Sequence, residues 1–73
     1  MTGGAQMNHV REFRRAAKLS QLALAETIGV ARQTINLIEN DKYNPSLDLC
    51  LKLAWALHTD LNTLFWRQQN ENN

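Results

Sequence analysis

Arg32, Gln33 and Asn36 lie within five consecutive residues, and each carries a forked set of hydrogen-bonding groups. Arginine can pair bidentately with guanine, and glutamine or asparagine with adenine, while Thr34 and Leu37 are suited to a thymine methyl. On a helix, at about 100° per residue, Ile35 and Ile38 face one way. Gln33 points the opposite way, flanked by Arg32, Asn36 and Leu37. An apolar stripe thus backs a face chemically equipped to read base edges. The same polar face would serve equally as an ordinary solvated helix surface, and this helix alone does not separate the two readings.

Other chemistry finds less support. His9, His58 and Cys50 are the only soft metal ligands, and no two of them have ligand spacing on a helix face or in a loop. No metal or cofactor is expected. No Ser/His/Asp or Cys/His arrangement has supporting context, and Gly3-Gly4 is not a phosphate loop, so catalysis is not expected either. The single cysteine cannot form an intrachain disulfide; it lies in an apolar stretch and reads as a small core hydrophobe in a reducing compartment. With no run long enough to span a bilayer and no signal-peptide pattern, a cytoplasmic location is expected.

The elements that position the polar face follow from turn and cap signals. The 73 residues hold one modest core, with 44% hydrophobic and 21% charged side chains, the balance of a globular domain. Five short helical segments are expected and no strands, an all-α fold. Asn8 is expected to cap a first helix to about Ala17, with Val10, Phe13 and Ala17 buried. Ser20 caps a second, Gln21 to Ile28, with Leu22, Ala25 and Ile28 as its apolar stripe, and Gly29 supplies a left-handed turn. The third helix follows Val30; 41–45 forms a loop. Ser46 caps a fourth helix to Leu57, and Asp60 a short fifth around Leu61 to Phe65. The domain spans 8–67. Residues 1–7 read as a flexible segment near-identical to part of a common epitope tag, with Met7 an alternative start, and 68–73 as a polar tail. Net charge is only +1, but Arg11, Arg14, Arg15 and Lys18, half of all Lys and Arg, fall within eight residues. The positive field is local.

Two helices joined by a short glycine turn, the second with this polar face, form the pattern of a DNA-reading unit. The run Leu19-Ser-Gln-Leu-Ala-Leu-Ala-Glu-Thr-Ile-Gly-Val-Ala-Arg-Gln-Thr-Ile-Asn-Leu-Ile-Glu-Asn, continuing to Lys42-Tyr-Asn-Pro-Ser-Leu-Asp-Leu, resembles the Xre/Cro/phage-repressor helix-turn-helix family. It looks most like the family's short stand-alone members with an Arg-Gln-Thr-Ile recognition helix. The likeness covers about Val10 to Phe65. It implies a compact five-helix, lambda-repressor-like domain that binds double-stranded DNA as a homodimer and regulates transcription, with repression as the default.

By that resemblance Arg32, Gln33, Thr34, Asn36 and Leu37 face bases. Gln21 holds a phosphate and braces the recognition helix, and Asn40, Lys42 and Asn44 grip the backbone. Arg11, from the basic cluster, is assigned to phosphate as well. Arg14 and Glu39 match a buried salt bridge between the first and third helices, and His58, Leu61, Leu64 and Trp66 match the two-fold contact. Tyr43 is expected to pack over the loop. Three family glycines are replaced, by Lys18, Asp41 and His58, and a left-handed backbone at Lys or His costs on the order of 1 kcal/mol. Ala31 replaces the usual Ser or Thr cap of the recognition helix. A rival reading keeps the fold as a protein-interaction module or antitoxin-type partner protein working through Trp55 and Trp66.

Overall fold

A computed structural model describes residues 8–65, which form five helices: α1 Val10–Ala16, α2 Gln21–Ile28, α3 Arg32–Glu39, α4 Leu47–Ala56 and α5 Leu61–Phe65. There is no strand among the described residues. The cap chemistry explains most boundaries. Ser20 Oγ accepts from Ala23 N at 2.9 Å, Ser46 Oγ from Leu49 N at 3.2 Å, and Asp60 Oδ1 from Thr63 N at 2.7 Å. Each satisfies an amide that the first helical turn leaves without a partner. The Thr63 amide holds the Asp60 carboxyl below its usual range. Ala31 makes no such bond.

The first four helices end alike. Lys18, Gly29, Asp41 and His58 all have positive φ, between 57° and 78°. In each case the next residue's amide reaches back to a carbonyl five positions earlier: Leu19 to Arg14, Val30 to Ala25, Lys42 to Leu37, and Thr59 to Ala54. This closure needs a left-handed residue, usually glycine. The three glycine replacements therefore take the strained backbone rather than altering the turns.

The core comprises Val10, Leu24, Ala25, Ile28, Ile35, Ile38, Leu53, Ala54, Leu57 and Leu64, with Phe13, Leu19, Val30, Leu49, Leu61 and Phe65 packed around it. Burying each large aliphatic chain contributes about 1.5–3 kcal/mol. α2 packs against both α3 and α4, while α1 packs on α3 and α5. The helix-turn-helix thus rests on a scaffold on either side.

Three expectations are corrected. Leu22 is 51% exposed, and Leu24 takes its place in the core. The inward face of α2 runs through Gln21, Leu24, Ala25 and Ile28, the i, i+3, i+4, i+7 spacing of one helix face, and the Gln21 amide reaches Glu39 from it. Ala17 is exposed, since α1 stops at Ala16. Asn8 precedes the N-cap position, which His9 occupies without a side-chain capping bond, its Nδ1 meeting Glu12 Oε1 instead. Asn8 is instead buried: Oδ1 accepts from Val10 N at 3.1 Å, and Nδ2 donates to Ile38 O at 2.9 Å and Asp41 Oδ1 at 2.7 Å. One amide thereby fastens the start of α1 to the end of α3.

Candidate nucleic-acid interface

α3 presents two faces of opposite character. Ile35, Ile38 and Glu39 are buried, Thr34 and Leu37 are half-buried, and Arg32, Gln33 and Asn36 are exposed. Of the five residues expected to face bases, Arg32, Gln33 and Asn36 are thus on the exposed side of one eight-residue helix, with Thr34 and Leu37 half-buried on it. That helix has the size and polarity to enter a major groove.

Glu39 sets the orientation of this helix. Its side chain is fully enclosed, yet its carboxylate accepts from Arg14 Nε at 2.6 Å and Nη2 at 3.2 Å, from Arg11 Nε at 3.3 Å, and from Gln21 Nε2 at 3.1 Å. Arg14 Nη1 also donates to Leu19 O at 2.9 Å, tying in the α1–α2 turn. Burial pushes the Glu39 pKa up, but the Arg14 and Gln21 hydrogen bonds, the Arg14 charge and the Arg11 bond outweigh it and hold the carboxyl below its ordinary value. A buried anion that kept its charge without such donors would be costly. The expected Arg14–Glu39 pair is thus present, and it is one part of a larger hub joining α1, α2 and α3.

The phosphate candidates divide by what already holds them. Gln21 is committed through Nε2 to Glu39, and its Oε1 meets Arg32 Nη1 at 3.5 Å, a long contact between the two helices. Arg11 donates through Nη2 to Asn40 Oδ1 at 3.0 Å, and Asn40 Nδ2 donates to Asn36 O at 2.8 Å. Arg11 and Asn40 are neighbours at the end of α3. Lys42 and Asn44 lie exposed in the loop beyond, with Tyr43 also exposed. The basic and amide groups therefore border the exposed face of α3 from its first turn to past its last. The sequence has Gln21 bracing the recognition helix, and Glu39 is the group it reaches; the bond from Arg11 to Glu39 was not foreseen. The signal for Arg11 was its place one turn before Arg14 on the same helix.

The two-fold candidates do not stay together. His58 is exposed and Leu61 half-buried, but Leu64 is completely buried in the protomer's own core. Leu64 is corrected from interface to core, since its side chain has no surface to offer. Trp66 lies outside the described residues. Cys50 is half-buried with Sγ 3.9 Å from Pro45 O, and burial raises its thiol pKa. Among the described residues no three His, Cys, Asp or Glu side chains come together as a metal site, and no helix is long and apolar enough to cross a membrane.

Comparison with known proteins agrees with this geometry. A family model described as Helix-turn-helix matches residues 10–64. The chain is 42% identical over 62 residues to an uncharacterised HTH-type transcriptional regulator, YgzD, of Bacillus subtilis, covering 85% of this chain and 94% of that one. It is 36% identical over 64 residues to an immunity repressor protein of Bacillus phage phi105, covering 88% of this chain and 42% of the repressor. Among solved structures, the restriction-modification controller protein C.AhdI from Aeromonas hydrophila superposes with a TM-score of 0.74 at 40% identity, over 78% of this chain and 86% of the controller. The family match of residues 10–64 runs from the start of α1 into α5 and includes all of α3. The chain belongs to the Xre/Cro/C1-type helix-turn-helix family of DNA-binding transcriptional regulators, which are not enzymes.

Proposed function

We propose that the protein is a sequence-specific repressor that binds a near-palindromic operator as a homodimer in the cytoplasm. The observation that carries this is the division of α3: Ile35, Ile38 and the Glu39 hub hold one side rigidly, leaving Arg32, Gln33 and Asn36 together on the other. A reading helix needs both, because bidentate base contacts discriminate only when the backbone beneath them does not yield.

In this reading Arg32, Gln33, Thr34, Asn36 and Leu37 face base edges. Lys42 and Asn44 meet phosphates directly. Arg11, Asn40 and Gln21 meet them with the polar groups left over from their bonds within the protein. One α3 touches only a few base pairs, so a two-fold pair is needed to single out a site in a genome. His58, Leu61 and Trp66 are assigned to that contact. Occupying a promoter excludes other proteins from it, and the immunity repressor among the relatives supports that mode of action.

Selection from a random duplex pool tests the proposal. It should return an inverted repeat with half-site centres about one helical turn, roughly 34 Å, apart. Recovery of no enriched sequence, with no salt-dependent binding to duplex DNA, would refute it and favour a protein-interaction module on the same fold.

A further inference from the structure

Arg32, Asn36 and Asn40 are spaced four apart and all three are exposed, so they form one row along the outward side of α3 and just past its end. Beyond the row stands a cation from another helix. Arg11 of α1 donates through Nη2 to Asn40 Oδ1 at 3.0 Å and through Nε to Glu39 Oε1 at 3.3 Å. Asn40 is itself pinned, since its Nδ2 and its backbone amide both donate to Asn36 O, at 2.8 and 3.2 Å. The guanidinium is thus fixed by two of its five N–H groups. Among the described residues the other three, both on Nη1 included, have no partner.

Charge points the same way. Two guanidinium groups share the Glu39 carboxylate, and Arg14 holds it more closely, through both oxygens, at 2.6 and 3.2 Å. The positive charge in excess falls on Arg11, whose side chain is 32% exposed against 11% for Arg14. A guanidinium edge held in place with its charge only partly offset matches a phosphate, which can accept two parallel N–H bonds. From Arg32 to Asn40 the row rises about 12 Å at 1.5 Å per residue, close to the roughly 12 Å width of a major groove. A recognition helix that reaches base edges with its first residues therefore brings its far end, and Arg11 with it, toward the phosphate wall.

We infer that Arg11 is a preset phosphate clamp supplied by α1, and that Asn40 is its positioning residue, acting on DNA through Arg11 rather than by a contact of its own. The inference rests on the DNA-binding reading above and separates two residues which that reading treats alike. Both polar groups of the Asn40 side chain are already engaged, whereas Arg11 has an edge left over. Without Asn40 the guanidinium keeps only its longer bond to Glu39. It would regain rotamer freedom that binding must remove again. Neutralising Glu39 does not by itself require the bond to Asn40, which lies outside the hub.

Fluorescence anisotropy on a random-sequence duplex of fixed length, over a salt series, tests the pair, because phosphate contacts act on every sequence. Arg11→Gln keeps an amide donor for Glu39, of the kind Gln21 already provides, and removes the guanidinium. Its helical circular dichroism should match wild type, and its slope of log affinity against log salt should be flatter by about 0.9, the value for one phosphate. Asn40→Ala removes no charge, yet it should weaken binding about three- to tenfold, the range for one lost hydrogen bond. In the Arg11→Gln background the same change should cost less than about twofold. An unaltered slope in Arg11→Gln would leave Arg11 to the hub alone and overturn the clamp. Equal losses from Asn40→Ala in both backgrounds would mean that Asn40 meets DNA independently, and no loss in either that it positions nothing. Both results contradict the inference while DNA binding stands. If wild type shows no salt-dependent binding to the duplex, the DNA-binding reading falls and the clamp with it.

Discussion

The two ends of the molecule hold themselves together by different physics. At the α1–α3 end a buried carboxylate gathers Arg11, Arg14 and Gln21, and a buried amide, Asn8, links α1 to α3. At the α4–α5 end the inner face is aliphatic, and the outer face carries apolar side chains that the protomer leaves uncovered. Hydrogen bonds fix angle and register, whereas apolar contact fixes proximity with little directional demand. The polar end bears the helix whose orientation matters for reading bases. The apolar end leaves Leu47, Leu51 and Trp55 exposed on the outer face of α4.

The largest expected effect comes from breaking the hub. Glu39→Ala would leave Arg14 enclosed without its anion and should destabilise the fold by roughly 3–5 kcal/mol, measured by urea denaturation. An unchanged midpoint would mean that the polar end is no more directional than the apolar one. Asn8→Ala should cost less, about 1–3 kcal/mol, by leaving the Val10 amide and its other buried partners without this side chain.

Acid should sharpen the same contrast. The Glu39 carboxyl titrates below its ordinary value of 4.5 in the folded protein. The unfolded chain therefore binds the proton first, so the contribution is complete above about pH 4.5 and is lost as pH falls through the folded pKa. Urea midpoints taken between neutral pH and pH 3 should fall in wild type, and fall less steeply in Glu39→Gln. Parallel pH curves would place the acid sensitivity elsewhere.

Backbone and cap changes should be smaller. Lys18→Gly relieves a left-handed residue at an exposed turn and should stabilise by up to about 1 kcal/mol. Ala31→Ser restores a missing N-cap to α3 and should add about 0.5–1 kcal/mol by thermal denaturation. Loss of stability in either variant would show that these positions pack against something beyond the local turn.

How much could be read from the sequence also differs between the two ends. Ser20, Ser46 and Asp60 announced their helices because capping is local chemistry written within three residues. The left-handed conformations at Lys18, Asp41 and His58 were legible only through resemblance, since none of these residue types demands positive φ. Periodicity failed at α2, where Leu22 and Leu24 are equally apolar and flank the Ala25–Ile28 stripe on either side, so that only the packing of the whole domain chose between them. Asn8 looked like a cap because its bonds to Ile38 and Asp41 span 30 and 33 residues. Leu64 matched an interface position, but its burial depends on how α5 docks on the rest of the core.

In the proposed function the outward face of α3 reads bases while the loop beyond it holds the backbone. The direct measurement is the affinity of Arg32→Ala, Gln33→Ala and Lys42→Ala for the selected operator and for random duplex of equal length, across a salt series. Arg32→Ala and Gln33→Ala should each lose roughly 1–3 kcal/mol on the operator and far less on random DNA. Lys42→Ala should weaken both DNAs alike and flatten the salt dependence by about one ion. Equal losses on operator and random DNA for Arg32→Ala and Gln33→Ala would contradict base reading by α3.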